Sequence, residues 1–559
     1  MCIRDRIDFL QKIKLKVSNH LHFTANFQYS STGNVPRYDN LVDTLGAANE
    51  LKWVDWFYGP QHRVLGSIKA RIIDKGWIDK GTIIASYQRI DEDQFKRKFG
   101  KAWRESTETD VHVFSLTADF DKYLDEKENL TVSYGIDASR NIVNSTAYNR
   151  NVKSGRTHLF VVEGPDIITR YPSGGSSMDA FGAYLNGKWK SENKNFTAEA
   201  GMRYSLVRIN AKFSASDPIA WPQNYLDGIF LNNDALTFGG GFTYRTNNKW
   251  EFRGLTATAF RSPNIDDFAK IREKNGYVTI PNPNLAPEKA FTVEATIGKE
   301  LGGIKKDSQA GTKSGSSLKV SATVFNTEVK DALVRKNFNL PDGSNTIAKS
   351  NEILETQSNV NAERATIRGV SGNLRFSIAD KWILASSINY TRGTSRFQDN
   401  IEGIVIDTLV PFAHIPPLYG RTSLTFQTGK IKLESVIRYN GRKRPTDYAV
   451  LAARVRNGVI TYERTGTSDN IEYSPYGPID SNGDPCQLVE ERGNAVDCQE
   501  GYAGSLAWLT YNLYGDYQLN DKFSINFGVE NILDLHYRTF SSGVSAPGRN
   551  FIIGIRGKF

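Results

Sequence analysis

Apolar and polar positions alternate along this chain in one segment after another. The clearest case is 196–206. Phe196, Ala198, Ala200, Met202, Tyr204 and Leu206 fall on one side, and Thr197, Glu199, Gly201, Arg203 and Ser205 on the other. Leu509, Tyr511, Leu513, Tyr517 and Leu519 likewise oppose Thr510, Asn512, Tyr514, Asp516 and Gln518. Phe523, Ile525, Phe527 and Val529 oppose Ser524, Asn526, Gly528 and Glu530. A period of two marks strands with one apolar and one polar face. About nineteen such segments are predicted, near 9–17, 21–30, 62–73, 82–92, 111–122, 129–141, 179–191, 195–208, 235–247, 250–260, 289–300, 317–330, 364–377, 381–393, 420–427, 429–440, 507–518, 521–533 and 549–559.

The connections alternate in length. Short turns at Val17–Leu21, Ser191–Asn195, Thr246–Lys249, Ala379–Lys381, Thr428–Lys430 and Asn520–Lys522 are interleaved with long loops at 31–61, 93–110, 142–178, 209–234, 261–288, 331–363, 394–419, 441–506 and 534–548. Gly302–Ser317, rich in Lys, Gly and Ser, is the long exception on the short-turn side. A sandwich has no reason to segregate its connections in this way. An outer-membrane barrel does, with short periplasmic turns and long extracellular loops. The fold expected is therefore all-β, a transmembrane antiparallel β-barrel. Single-chain bacterial barrels have even strand numbers, so about 19 visible strands imply a full count of about 22.

Composition removes the rivals. Hydrophobic residues make up 39% of the 559 residues, and no window approaches 18 consecutive apolar ones, which excludes a helical membrane protein. The mean hydropathy of −0.44 is the average over strands with one charged face, and it conceals a barrel. Aromatic residues are 11%, too many for a disordered chain, and 3 Cys are too few for a disulfide scaffold. The net charge of +9 is small for the length and dispersed, so no nucleic-acid partner is expected. HExxH, GxSxG, CxxC and P-loop patterns are all missing, and no enzyme is expected.

Specific motifs then narrow the reading. Thr258–Gly298 contains Phe260-Arg261-Ser262-Pro263-Asn264, Asn282-Pro283-Asn284-Leu285 and Pro287-Glu288 in order. Pro411–Arg421 reads PFAHIPPLYGR, Val529–Arg538 reads VENILDLHYR, and Ala546–Asn550 reads APGRN. The last segment, Arg549–Phe559, alternates and ends in Phe. These boxes resemble those of TonB-dependent outer-membrane receptors: the FRAP-like box, the NPNL box with its following PE, the IPP-x-x-G segment and the E-N-L-x-D-x-x-Y-R segment. They cover the C-terminal half well; the N-terminal half matches in architecture.

The resemblance implies an outer-membrane barrel for residues 1–559 in which scarce nutrients bind the outer side and TonB acts through an N-terminal plug. Met1–Arg6 (MCIRDR) shows no signal peptide, and the plug and first strands are expected to lie outside this chain. The expected ligand is a ferric siderophore or other iron chelate, with haem or cobalamin as alternatives. A passive porin-like channel and a non-transporting surface-binding barrel are the rival readings. Outer-membrane lipid and lipopolysaccharide are expected neighbours, and no cofactor is required.

Candidate ligand contacts are Trp56 and Tyr58 in loop 31–61, and Arg97 and Trp103 in the basic–aromatic loop 93–110. Arg261 and Asn264 stand at a strand–loop junction, where structural hydrogen bonding is the competing role. Tyr277 is the one haem-type ligand between the two boxes, and His112 and His414 are the further imidazole candidates. In the longest loop, Cys486 and Cys498 are expected to pair in an oxidising compartment. The same loop carries Asp480, Asn482, Asp484 and Glu491 at calcium-loop spacing, broken by Pro485 where Gly belongs; a structural calcium and a plain polar turn are the two readings.

Overall fold

The computed structural model describes residues 6–45, 50–152, 166–274, 276–303, 305–306, 313–379, 381–401, 403–456, 459–464, 476–479, 499–502, 504–542 and 545–558. Its core is one antiparallel ladder. The first strands are β1 (Arg6–Lys16), β2 (Leu21–Thr32), β3 (Trp53–Lys75), β4 (Ile78–Lys98), β5 (Trp103–Tyr123), β6 (Leu130–Asn151), β7 (Ser176–Lys190), β8 (Phe196–Ala211), β9 (Ile229–Arg245) and β10 (Trp250–Arg261). They continue with β11 (Glu288–Gly302), β12 (Ser316–Asn337), β13 (Glu352–Ile378), β14 (Trp382–Ile401), β15 (Tyr419–Thr428), β16 (Ile431–Asn440), β17 (Trp508–Gln518), β18 (Phe523–Glu530) and β19 (Asn550–Gly557). Each coincides with one predicted segment, and each pairs antiparallel with the next in chain order.

The sheet is not a closed barrel, and that expectation is corrected. Among the described residues β1 pairs only with β2, and β19 only with β18, so the sheet keeps two free edges. Every residue of β1 is exposed. Closure needs the two edge strands to meet with a matching stagger. Alternation within a strand reports which face a residue occupies and carries no information about whether the ends of the ladder meet.

Several predicted loops are largely strand. Loop 93–110 shrinks to 99–102, because β4 runs on to Lys98 and β5 starts at Trp103. Likewise β3 begins at Trp53 within the predicted loop 31–61, and Ile404–Pro411 pairs with the end of β14. On these extensions both faces carry polar and aromatic side chains, so the period of two disappears while the backbone ladder continues. The short turns are built locally. In the turn before β18, Asn520 Oδ1 accepts from the backbone N–H groups of Lys522 and Phe523, each at 2.9 Å.

The ladder has one apolar and one polar face. Leu185, Met202, Phe238 and Phe291 line up on the first and are about half exposed, at 46–50%. Arg203 and Asp137, paired at 2.6 Å, stand on the second. Toward the long-loop end, the polar face of β8 turns apolar at Val207, Ile209 and Ala211, all buried. The loops fold over it. Phe213, Trp221 and Tyr225 stack with centroids 4.6 to 5.6 Å apart, and Phe268, Val278, Ile280, Leu285, Leu340 and Ile347 complete a dry core. Each such side chain contributes roughly 1.5–3 kcal/mol. The buried Tyr225 hydroxyl donates to the Pro281 carbonyl at 2.8 Å, and burial pushes its pKa up to about 12.

The family-like boxes are the staples of this cap. Arg261 bridges Glu288 at 2.6 Å and Asp267 at 2.5 Å. Asn264 caps the short helix Ile265–Ala269 by accepting from the Asp267 N–H, and the Asp267 side chain accepts from the Asn264 N–H in return. Asn282 donates to the Asn359 carbonyl at 2.9 Å and accepts from the Asn284 N–H. Asn361 brackets Ala286, accepting from its N–H and donating to its carbonyl. Tyr277–Thr279 adds a short parallel strand against Glu355–Gln357 of β13. These contacts fasten the loop between β10 and β11 to the top of β13.

Two outcomes follow from this packing. Asn282→Ala removes two hydrogen bonds from a half-buried site, which costs about 1 kcal/mol; Asn264→Ala costs about 1 kcal/mol through the lost cap. Hydrogen exchange should quicken across 265–286 in both variants and stay unchanged in the short-turn half of β11. The second concerns Lys443, buried beneath Tyr448 and Phe540 with its ammonium donating to the Ile415 carbonyl. Burial lowers its pKa from 10.5 to about 8, against the opposing pull of Asp447. Between about 8 and 10.5 the unpacked segment binds the proton and the packed one does not, so packing strengthens as pH rises through that window. Proteolysis within 441–448 should slow from pH 8 to pH 10 relative to Lys443→Met, in which the pH dependence is lost.

Candidate ligand-binding site

Two groups of side chains on the polar face can bind a solute. The first lies at the long-loop end of β3 and β4. Their register sets Trp56 opposite Lys96 and Tyr58 opposite Gln94, after a bulge between Tyr58 and Gln61. That bulge leaves Trp56 and Tyr58 on the polar face. Arg37, from the segment before β3, crosses above them. Its guanidinium lies 5.7 Å from the Trp56 ring centre and 5.1 Å from that of Tyr58, and it donates to the Tyr58 hydroxyl at 2.5 Å. Trp53 meets Trp56 edge-on at 4.5 Å, and both indole N–H groups are buried with no hydrogen-bond partner among the described residues. The result is a cation held against two rings, a combination suited to an aromatic or anionic ligand.

The second group lies at the short-turn end. Arg245, Lys249, Arg253, Lys319, Arg375 and Arg421 line a cavity of about 930 Å³ together with Glu251 and Glu300. Each carboxylate is shared by two cations. Glu251 pairs with Arg245 at 2.5 Å and with Arg253; Glu300 pairs with Lys319 at 3.0 Å and Lys249 at 3.3 Å. Arg421 turns to Glu434 at 2.6 Å. The cavity therefore keeps an excess of positive charge, which concentrates anions.

The predicted contacts separate into distinct roles. Trp56 and Tyr58 are brought together as above. Arg97 lies on the opposite face, paired with Asp55 at 3.1 Å, beside Phe57 and Phe95 under Arg104. Trp103 opens β5 opposite Asn151. Arg261, Asn264 and Tyr277 belong to the loop staple. His112 shares the apolar face with Phe114 and Leu116, its ring nitrogens 2.9 Å from the Tyr87 hydroxyl and 3.2 Å from Asp110. His414 is exposed at a turn with φ of 59°. Cys486, Cys498, Asp480, Asn482, Asp484 and Glu491 lie outside the described residues. Among the described residues no group of three or more His, Cys, Asp or Glu side chains is arranged to hold a metal. Arg37 escaped sequence reading because a single Arg in a polar segment gives no signal; only the fold sets it over rings about twenty positions away.

Comparison with known proteins gives these sites a context. The family model described as TonB dependent receptor-like, beta-barrel matches residues 14–532. No curated protein matches. Solved structures with the same fold include a double mutant of the Serratia marcescens hemophore receptor HasR in complex with its hemophore HasA and heme. It is 13% identical with a TM-score of 0.61, covering 99% of this chain and 71% of that one. The copper transporter OprC is 11% identical with a TM-score of 0.63, covering 100% and 72%. The siderophore receptor PiuA from Acinetobacter baumannii is 13% identical with a TM-score of 0.61, covering 100% and 74%. The cargoes named for these three differ, so the shared fold does not select one. With the family match spanning nearly the whole ladder, the chain belongs to the TonB-dependent receptors, the nutrient receptors of the bacterial outer membrane.

Proposed function

We propose that this receptor takes up an anionic metal chelate, in the simplest case a ferric siderophore. The observation that carries the reading is the gathering of cations at two places on the polar face. Arg37 with Trp56 and Tyr58 offers a capture point at the long-loop end, and the cavity around Arg375 offers a second basic stop at the short-turn end. A chelate already satisfies its metal, so the receptor needs cations and rings and no metal ligands of its own. On this reading the plug through which TonB acts in this family, together with the nutrient, is the partner of the polar face, while membrane lipid meets the apolar one.

The test is growth of a receptor-deletion strain carrying this protein, with ferric siderophore, haem or cobalamin as the sole source of the nutrient. Growth restored by a siderophore supports the proposal; growth restored by haem or cobalamin alone sinks it. Arg37→Ala should weaken siderophore binding by about ten- to a hundredfold, the equivalent of a lost charge-assisted contact, in a direct titration.

A further inference from the structure

Where β4 and β5 project toward the long loops, they set carboxylates against each other on the face that carries Tyr87 and Phe114 lower down. Asp93 stands directly opposite Glu108, and Asp91 directly opposite Asp110. Asp93 lies six positions past Tyr87, about 20 Å further along the strand. Asp91 and Asp110 are matched. Arg89 pairs with Asp91 at 2.9 Å, and Asp110 meets His112 at 3.2 Å and the Asn144 amide at 2.9 Å. Asp93 is not. It is half-buried, and among the described residues it has neither a hydrogen bond nor an ion pair. Like charges directly opposed across strands destabilise a sheet, so this pair needs a compensating charge or a proton.

The surroundings say which one. On β3, His62 faces Asp91 and is turned to Ser31 at 3.1 Å. On β4, Glu92 points to the polar face, where Gln61 donates to it at 3.1 Å, and Arg97 is paired with Asp55. On β5, Arg104 is spread over the rings of Phe57 and Phe95. On β6, the Tyr148 hydroxyl donates to Glu108 at 2.6 Å and fixes that carboxylate. Beside it Ser106 is fully buried, its hydroxyl without a partner among the described residues, so this side of the pair is dry. Burial first, then the charges of Glu108 and Asp91, push the Asp93 pKa up to about 6. Two carboxyl groups so placed hold one proton between them. The pair also lies behind the capture point: Gln94 and Lys96, on the same strand end, stand opposite Tyr58 and Trp56 on the polar side.

We infer that Asp93 and Glu108 form an acid-operated latch, in which one shared proton holds the projecting ends of β4 and β5 together and its loss loosens them and the Trp56–Tyr58 seat behind. The latch stands on the ladder alone; only its consequence for capture rests on the proposed uptake of a chelate. The sign follows from the raised acid. Between 3.8 and about 6 the closed ladder keeps a proton that the opened one releases, so closure strengthens as pH falls through that window. The test is amide hydrogen exchange of the purified receptor without ligand across 53–58, 91–98 and 103–110, corrected for the intrinsic rate. Protection in the unmodified receptor should be about tenfold greater at pH 5 than at pH 7.5. Asp93→Asn should flatten that ratio to less than about twofold, while His62→Gln should keep it. A flat profile in the unmodified receptor overturns the latch whatever the variants do, as does a tenfold dependence that survives Asp93→Asn. The expected exchange profile in a receptor that binds no ferric siderophore at either pH would support the latch and sink the transport reading instead.

Discussion

The rest of the structure depends on the pairing of backbone N–H and C=O groups between neighbouring strands. In a bilayer no water can satisfy these groups, so a spanning sheet must satisfy them itself. From that constraint follow the long uninterrupted registers, such as the one between β8 and β9, and the sharp turns that return the chain at one end. Once the backbone is committed to the ladder, side chains are free only to choose a face. Leu185, Met202 and Phe238 take the apolar one, and Arg203, Arg253 and Arg375 the polar one.

The polar face is divided along its length. At the short-turn end it carries charge, with Glu251 and Glu300 each shared between two cations. At the long-loop end it becomes a hydrophobic seat for the cap, through Val207, Ile209 and Ala211. The change is physically coherent. Strands that project past the bilayer no longer meet lipid outside, and loops can then bury apolar surface against their inner side. Fastening those loops by Asn282, Asn359 and Asn361 removes most of their freedom, which lowers the entropic cost of presenting a binding surface.

Much of this was legible in the residues. Met202 and Arg203 announce their opposite faces by position alone, and all the ladder strands were located by the same rule. Arg261 and Asn264 stood at a strand–loop junction, where a structural role competed with ligand contact, and in the fold Arg261 is held by Asp267 and Glu288 and Asn264 by Asp267. The rule failed where both faces became polar. Residues 93–98 and 103–110 read as loop because Lys96 and Arg97 give no alternation, yet each keeps its partner on a neighbouring strand. His112 looked like a ligand at an outer strand end; the register turns it to the apolar face, against Tyr87 and Asp110.

What the sequence determined by itself was local: the strands, their faces, the turns and, through its ordered boxes, the family. These properties repeat every two residues or sit within a few positions of one another. The tertiary structure decided everything that joins distant positions. It left β1 and β19 without a pairing to each other among the described residues, set Arg37 over Trp56 and Tyr58, gathered seven cations in the cavity of Glu251 and Glu300, and opposed Arg368 to Arg392. The reason is that register and strand order fix which side chains become neighbours across strands, and alternation along a single strand is blind to both.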